Sequence, residues 1–596
     1  MFGPGSSPAD SARRIVARYR DTCFVPPSPE LRQRWAAELE RARRRKAVDA
    51  DALGLQRKPR RIGFDDGVII PPSEFPFGTP IETIRRAALD RAPLRGTVRV
   101  IVVLVQFSDK AMTNTASHFN DLFFSTGVLP HGSVKEYYTE VTNGLITLSG
   151  DIAGPFQLPQ TLAWYANGNY GIGKGGGDFR SPQMAQDAAV AADPTVNFQP
   201  FDNDGNGYVD AFIVVHAGQG AEVTGNSGDI WSHKATLPAV YNTDNTKIYG
   251  YLTIPEDARI GVCAHELGHL LFGFPDLYDT DYTSEGIGDW CLMAGGTWNG
   301  GGDVPAHASA WCKVNQGWAS VTNVTTNGSV TIPDVKVSHN VLRLSKDGTA
   351  GPEYFLAENR QRTGFDADLP GDGLLVWHID ETQTSNTDEN HYEVGLLQAD
   401  GQRDLELNHN RGDGGDPYPG SANNTSLTAA STPNTKSYAG QDTCVSITNI
   451  STSAPTMSAT ITVHCGKSVV KDLKDLQKDH KEIGKDIIDN KGAQKELKEA
   501  AKEIKEGGKE AFEWPPGGGG GELAAGGDRV AALEARVSAI EQLVGASAQP
   551  FIGAELRPDL LGGPATGGVS AAHLTTQMAA GDAGAKRNYD APPPVR

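Results

Sequence analysis

The sequence predicts an α+β domain followed by a β-sandwich-like domain, preceded by a basic head and trailed by a helical, low-complexity tail. Three observations predict it. Apolar strand runs alternate with amphipathic helices up to about residue 320. Short alternating strands broken by Gly, Pro, Asn and Asp then continue to Cys465. Lys, Glu and later Gly and Ala dominate after Gly466. At 596 residues the chain is too long for one core, and the expected divisions are 1–96, 97–320, 321–465 and 466–596.

Residues 1–96 are basic and interrupted by prolines. Pro29 to Lys46 has helical periodicity and dense charge, as a helical pro-segment would, with a disordered basic arm as the alternative. No apolar h-region marks a signal peptide at the start. At Thr97 the texture changes. Val98 to Phe107 is β-branched and nearly continuous, as a strand buried on both faces should be. Helices are expected at 119–127, 133–142 and 181–192, and strands at 145–150 and 211–217. A loop of about forty residues is expected before the next helix.

That helix carries His265-Glu-Leu-Gly-His269. Residues four apart share a helical face, so both imidazoles can reach one ion. Zinc accepts neutral imidazole nitrogens and keeps one position open for water, whose pKa it lowers from ~15.7 toward ~7. Glu266 stands beside it as the proton acceptor. Gly273 can end the helix in a left-handed turn, Pro275 blocks its resumption, and Asp276 is the first acidic side chain beyond. The order of strands before this helix suits a zincin domain. Asp276 is thus the expected third ligand, with Asp279 and Glu358 as competitors. Upstream, Asp202, Asp204, Asn206 and Asp210 follow a calcium-loop spacing around Gly207, although position 12 is Ile213 and excludes an EF-hand; an acidic turn is the alternative. Cys23 precedes Val-Pro-Pro-Ser-Pro-Glu30 and offers a thiolate that would fill the zinc's open position, against an ordinary free or bridged cysteine. Met293 sits in a glycine-rich turn, where the metzincin clan of zinc peptidases sets a methionine floor beneath the metal.

Of six cysteines, Cys444 and Cys465 bracket a strand pair and form the expected bridge. Asp366 and the 413–416 acidic turn are read as loop residues. Lys471 to Phe512 is expected to be helical, and a heptad seam from Val530 to Val544 fits self-association through a coiled coil. The net charge of −19 argues against sequence-independent nucleic-acid binding, and no apolar run is long enough to span a bilayer.

Taken together, several stretches resemble the M6 metallopeptidases, the immune inhibitor A type, over roughly residues 23–465. They are Leu104-Val-Gln-Phe-Ser-Asp109, Ser133-Val-Lys-Glu-Tyr-Tyr138, the segment from His265 to Asp279 and the turn at Met293. Glu358-Asn-Arg-Gln361, Gly373 to Asp380 and Gly415-Asp-Pro-Tyr-Pro-Gly420 continue the likeness. The resemblance implies a secreted zinc endopeptidase acting on protein substrates, with a pro-segment, a metzincin-like catalytic domain, calcium and a β-domain. It implies His265 and His269 as zinc ligands, Glu266 as general base and Met293 as the Met turn. Gly273 and Asp276 come one residue later than the family spacing has them. A cytoplasmic enzyme, and a catalytically inactive scaffold assembled through the tail, are the alternatives.

Overall fold

The computed structural model describes residues 23–35, 94–173, 178–243, 245–383 and 385–465, and three tail residues. The chain divides into two compact units, 1–465 and 466–596. In the second, Lys498, Glu499 and Lys502 are helical, and the expected heptad seam at 530–544 lies outside the described residues.

The first unit is built on a six-stranded sheet. Its strands are β1 (Cys23–Phe24), β2 (Gly96–Gln106), β3 (Ile146–Gln157), β4 (Phe212–His216), β5 (His233–Asn242) and β6 (Lys247–Pro255), in the order β1-β5-β6-β4-β2-β3. β3, β2, β4 and β6 run parallel, while β5 and β1 are antiparallel to their neighbours. Period-two alternation explains the continuous apolar run of β2. Val98, Val100, Val102 and Leu104 enter one core, while Ile101, Val103 and Val105 enter a second on the opposite face. β4 divides the same way, with Ile213 and Val215 on one face and Phe212 and Val214 on the other.

Helices α1 (Ala116–Phe124), α2 (Val134–Val141), α3 (Ser181–Ala192), α4 (Ile260–Phe272) and α5 (Ala310–Asn315) complete the framework. Thr115 caps α1 and Ser133 caps α2 by accepting backbone N–H groups, which places α1 three residues earlier than its apolar pattern predicts. The expected forty-residue loop is corrected by the structure: residues 233–255 form the β5–β6 pair, so the helix follows a strand. The β-branched and aromatic run from Ile248 to Ile254 was the available signal, interrupted by Gly250.

Beyond α5, strands β7 (Ser320–Asn323), β8 (Gly328–Pro333), β9 (Asn340–Leu344), β10 (Glu353–Arg360), β11 (Gly373–Asp380), β12 (Val394–Leu396), β13 (Ser446–Thr448) and β14 (Thr456–Thr462) make two sheets. Their orders are β12-β11-β10-β9-β7 and β13-β14-β8. The five-stranded sheet is buried on both sides. Phe355, Ala357, Leu374 and Val376 share an apolar cluster with Ile447, Met457 and Ile461 of the smaller sheet. Leu356, Leu375, Trp377 and Ile379, on the other face, join the core that surrounds α4. Cys444 and Cys465 are disulfide-bonded.

Candidate metal centre

Every residue of α4 is buried. Two glycines make that possible by admitting neighbours to van der Waals distance. A Cβ at Gly261 would collide with the Thr297 carbonyl oxygen, 1.9 Å away, and one at Gly268 would meet the Met293 sulphur at 2.8 Å. Gly273 ends the helix in the left-handed region, φ 68°, as its position predicts. That turn carries the chain back past the two imidazoles.

There the donors converge. His265 Nε2 and His269 Nε2 are 2.9 Å apart, and each lies 3.2 Å from Asp276 Oδ1. Ligand atoms of a single tetrahedral zinc lie roughly 3.3–3.6 Å apart, given its ~2.0–2.3 Å bonds. The spacing of the trio is close to what the donors of one such ion need. The imidazoles are fixed from behind: His265 Nδ1 lies 2.9 Å from the Leu292 carbonyl and 3.0 Å from Thr297 Oγ1, and His269 Nδ1 lies 2.5 Å from the Phe274 carbonyl. A proton on each Nδ1 leaves each Nε2 lone pair facing the centre. Burial lowers the pKa of His265, favouring the neutral imidazole that ligation needs.

Glu266 is fully buried, and neither of its carboxylate oxygens has a hydrogen-bond partner among the described residues. Such an orphan is costly unless something occupies the space in front of it. Burial pushes its carboxyl well above the ordinary range. Burial opposes ionisation of Asp276 too, but the two histidines beside it, His269 foremost, outweigh it and hold this carboxyl low. The competitors face elsewhere. Asp279 accepts hydrogen bonds from Thr283 and Ser284, and Glu358 pairs with Lys313 and Arg360.

Met293 is wholly buried beneath the helix, and its carbonyl accepts from the Leu277 amide. The Asp202, Asp204 and Asp210 carboxylates offer oxygens within 4.8 Å of one another. Asp202 accepts from the Asn206 and Gly207 amides, while the Asn206 side chain donates to Asp204. Cys23, on β1, brings its sulphur within 4.8 Å of donor atoms of His269 and Asp276.

Several site features had no local signature. Tyr278 Oη, Trp231 Nε1 and Trp298 Nε1 donate to the successive carbonyls of Phe24, Val25 and Pro26, at 2.9, 2.8 and 2.9 Å. Asp366, read from the sequence as a turn residue, is buried against Arg360.

A long mixed sheet beside a buried helix that presents two histidines and a glutamate, with an aspartate returning from its end, defines the class: a metallopeptidase catalytic domain. Residues 94–320 match the immune inhibitor A peptidase M6 catalytic domain. Among relatives, the pre-pro-metalloprotease PrtV of Vibrio cholerae serotype O1 is 32% identical over 239 residues, covering 33% of this chain and 25% of PrtV. Immune inhibitor A of Bacillus thuringiensis subsp. alesti is 30% identical over 289 residues, covering 38% of this chain and 41% of that protein. The matched region thus spans less than half the length of these relatives.

Proposed function

We propose that the chain is a zinc-dependent endopeptidase, with His265, His269 and Asp276 as metal ligands and Glu266 as general base. The observation that carries this is the meeting of three donor atoms within 3.2 Å beside an orphaned, buried carboxylate. Zinc held by these residues would supply the Lewis acidity that activates a water and polarises the scissile carbonyl. Glu266 takes the proton from the attacking water and passes it to the departing amine. Its burial supports that role by raising its basicity. Met293 serves as the apolar floor that keeps the imidazole pair in register, as the metzincin resemblance implies.

The same reading takes protein as the substrate and Asp202, Asp204, Asn206 and Asp210 as a calcium site that stabilises the fold. It treats residues 321–465 as a β-sandwich region, on the strength of the apolar cluster shared by its two sheets. We place the enzyme outside the cell. The Cys444–Cys465 bridge suits an oxidising compartment, and no described helix is long and apolar enough to cross a membrane. Self-association through 530–544 remains part of the proposal on sequence pattern alone. The test is casein hydrolysis by the chain beginning at Thr97, abolished by phenanthroline and restored by zinc. A zinc-loaded protein of that length that leaves casein uncut refutes the peptidase reading.

A further inference from the structure

Residues 23–35 run past the three-donor cluster, with Cys23 beside it. β1 pairs antiparallel to the edge strand β5, with Cys23 opposite Lys234 and Phe24 opposite His233. The Val25 amide continues the ladder to the Ser232 carbonyl at 3.3 Å. Three consecutive carbonyls, those of Phe24, Val25 and Pro26, are then each held by a side-chain donor. Further along, the Ser28 amide donates to the Glu222 carbonyl at 2.8 Å. Arg32 anchors the segment through Glu285 at 2.7 Å and Asn408 Oδ1 at 3.0 Å, with both members of the ion pair buried. Nearly all of this is main-chain recognition, which is how an extended peptide is held when it adds a strand to a sheet edge. It is independent of side-chain identity, as the binding of a peptide substrate has to be.

The register of this strap puts one residue at the metal. Cys23 is buried, 2% exposed, and its sulphur is within 4.8 Å of donor atoms of His269 and Asp276, which are 246 and 253 residues away in sequence. A cysteine that merely packs has apolar neighbours. This one comes close to the donor atoms of an imidazole and a carboxylate, each of which lies within 3.2 Å of His265 Nε2. Zn–S bonds of ~2.3 Å make a thiolate a strong fourth ligand once three are in place.

We propose that Cys23 is the fourth ligand of the metal held by His265, His269 and Asp276, and that residues 23–35 keep the chain latent. The strap sets a sulphur where the attacking water belongs and its own backbone where the substrate's would lie. On ligation the Cys23 thiol loses its proton to solvent and the sulphur displaces a water, with no change of oxidation state. This rests on the zinc-peptidase reading above and adds its control.

The test uses the full-length chain loaded with cobalt(II) in place of zinc, and its Cys23→Ser variant. The wild type should show a near-ultraviolet thiolate-to-cobalt charge-transfer band that Cys23→Ser loses, while both retain the visible ligand-field bands of a bound ion. Alkylation by iodoacetamide, mapped by mass spectrometry, should be slow at Cys23 in the metal-loaded chain and fast after chelation. Casein hydrolysis should rise in full-length Cys23→Ser without any chain cleavage. A wild-type cobalt protein with ligand-field bands and no charge-transfer band overturns the proposal even if the variant fails to fold. So does a band that survives in Cys23→Ser, or wild-type hydrolysis equal to the variant's. Failure of the peptidase reading looks different: the chain from Thr97 binds metal and leaves casein intact, whatever the cobalt spectrum of the full-length protein.

Discussion

Replacing Asp366 tests how far the β-rich region supports the metal centre. Asp366 accepts from Arg360 Nε at 2.7 Å and from Arg360 Nη2, and both side chains are fully buried. Arg360 also meets Glu358 at 3.3 Å, whose other oxygen is 3.1 Å from Lys313 Nζ. Two buried cations thus share two buried carboxylates, with Lys336 at the margin. Asp366→Asn leaves both cations dependent on Glu358, and a buried charge stripped of its partner costs about 3–5 kcal/mol. At 1.36 kcal/mol per decade, that is a loss of about two to four decades of hydrogen-exchange protection. The readout is the set of slowest-exchanging amides of β10 and β11. The perturbation should also reach the site, because a chain of hydrogen bonds runs inward from Asp366. Its Oδ1 accepts from the His307 amide at 2.9 Å, the His307 carbonyl accepts from the Leu292 amide at 3.3 Å, and the Leu292 carbonyl lies 2.9 Å from His265 Nδ1. Groups behind a metal-bound histidine typically matter about 10–100-fold in metal affinity, so zinc binding should weaken within that range. Removing both partners, as in Arg360→Met with Asp366→Leu, leaves Glu358 and Lys313 paired one to one and should recover most of the protection. The pH dependence has a definite sign. Burial opposes ionisation of Asp366, but Arg360, His307 and Lys336 outweigh it and hold its carboxyl far below the usual range. Its stabilisation is complete above the unfolded value of ~3.9 and declines as pH falls below it, so the gap between wild type and Asp366→Asn should narrow below about pH 4. Protection within one decade of wild type in Asp366→Asn, or a double variant worse than the single one, refutes the reasoning.

Glu266→Gln should retain zinc, measured by atomic emission, and lose about 10²–10⁴-fold in kcat, since the ligands stay and the proton acceptor goes. Asp276→Ala should lose zinc and activity together, whereas Asp279→Ala should disturb the 279–284 turn and leave metal content near wild type. Equal zinc occupancy in Asp276→Ala and wild type at limiting free metal would transfer the ligand role elsewhere. Calcium should raise the melting temperature by mass action and EGTA lower it, with about 2.7 kcal/mol gained at a hundredfold excess over Kd. Asp204→Ala should blunt that response, and an undiminished one would remove the assignment.

The meeting of His265, His269 and Asp276 was legible because these residues are close in sequence. His265, Glu266 and His269 fall within one and a half helical turns, and Gly273 announces where the chain comes back with Asp276. β2 was legible for the same reason, as a local run whose composition leaves little choice of structure. The docking of residues 23–35 was not. Tyr278, Trp231 and Trp298 act on consecutive carbonyls of a segment more than 200 residues upstream, and nothing in an aromatic residue's neighbourhood says which carbonyl it will meet. Asp366 does sit in a turn, Gly364–Asp366, but an acidic residue in a Gly- and Asp-rich stretch gives no sign that Arg360 will bury it. The β5–β6 pair was missed because Gly250 and the 243–246 turn broke the pattern into pieces too short to recognise.

The five-stranded sheet bears on where the enzyme begins and ends as a physical object. The match to the peptidase M6 catalytic domain ends at residue 320, but the hydrophobic interior does not. Leu356, Leu375, Trp377, Ile379, Val394 and Leu396 are part of the core that surrounds α4. A chain cut at 320 would leave the partners of these side chains facing water as one continuous greasy wall beside the catalytic helix. The edge of that match therefore falls in the middle of a hydrophobic interior, and the smallest piece expected to stay soluble and active extends to Cys465. Recovery of a monomeric, zinc-loaded fragment ending at residue 320 would show that the wall can be spared.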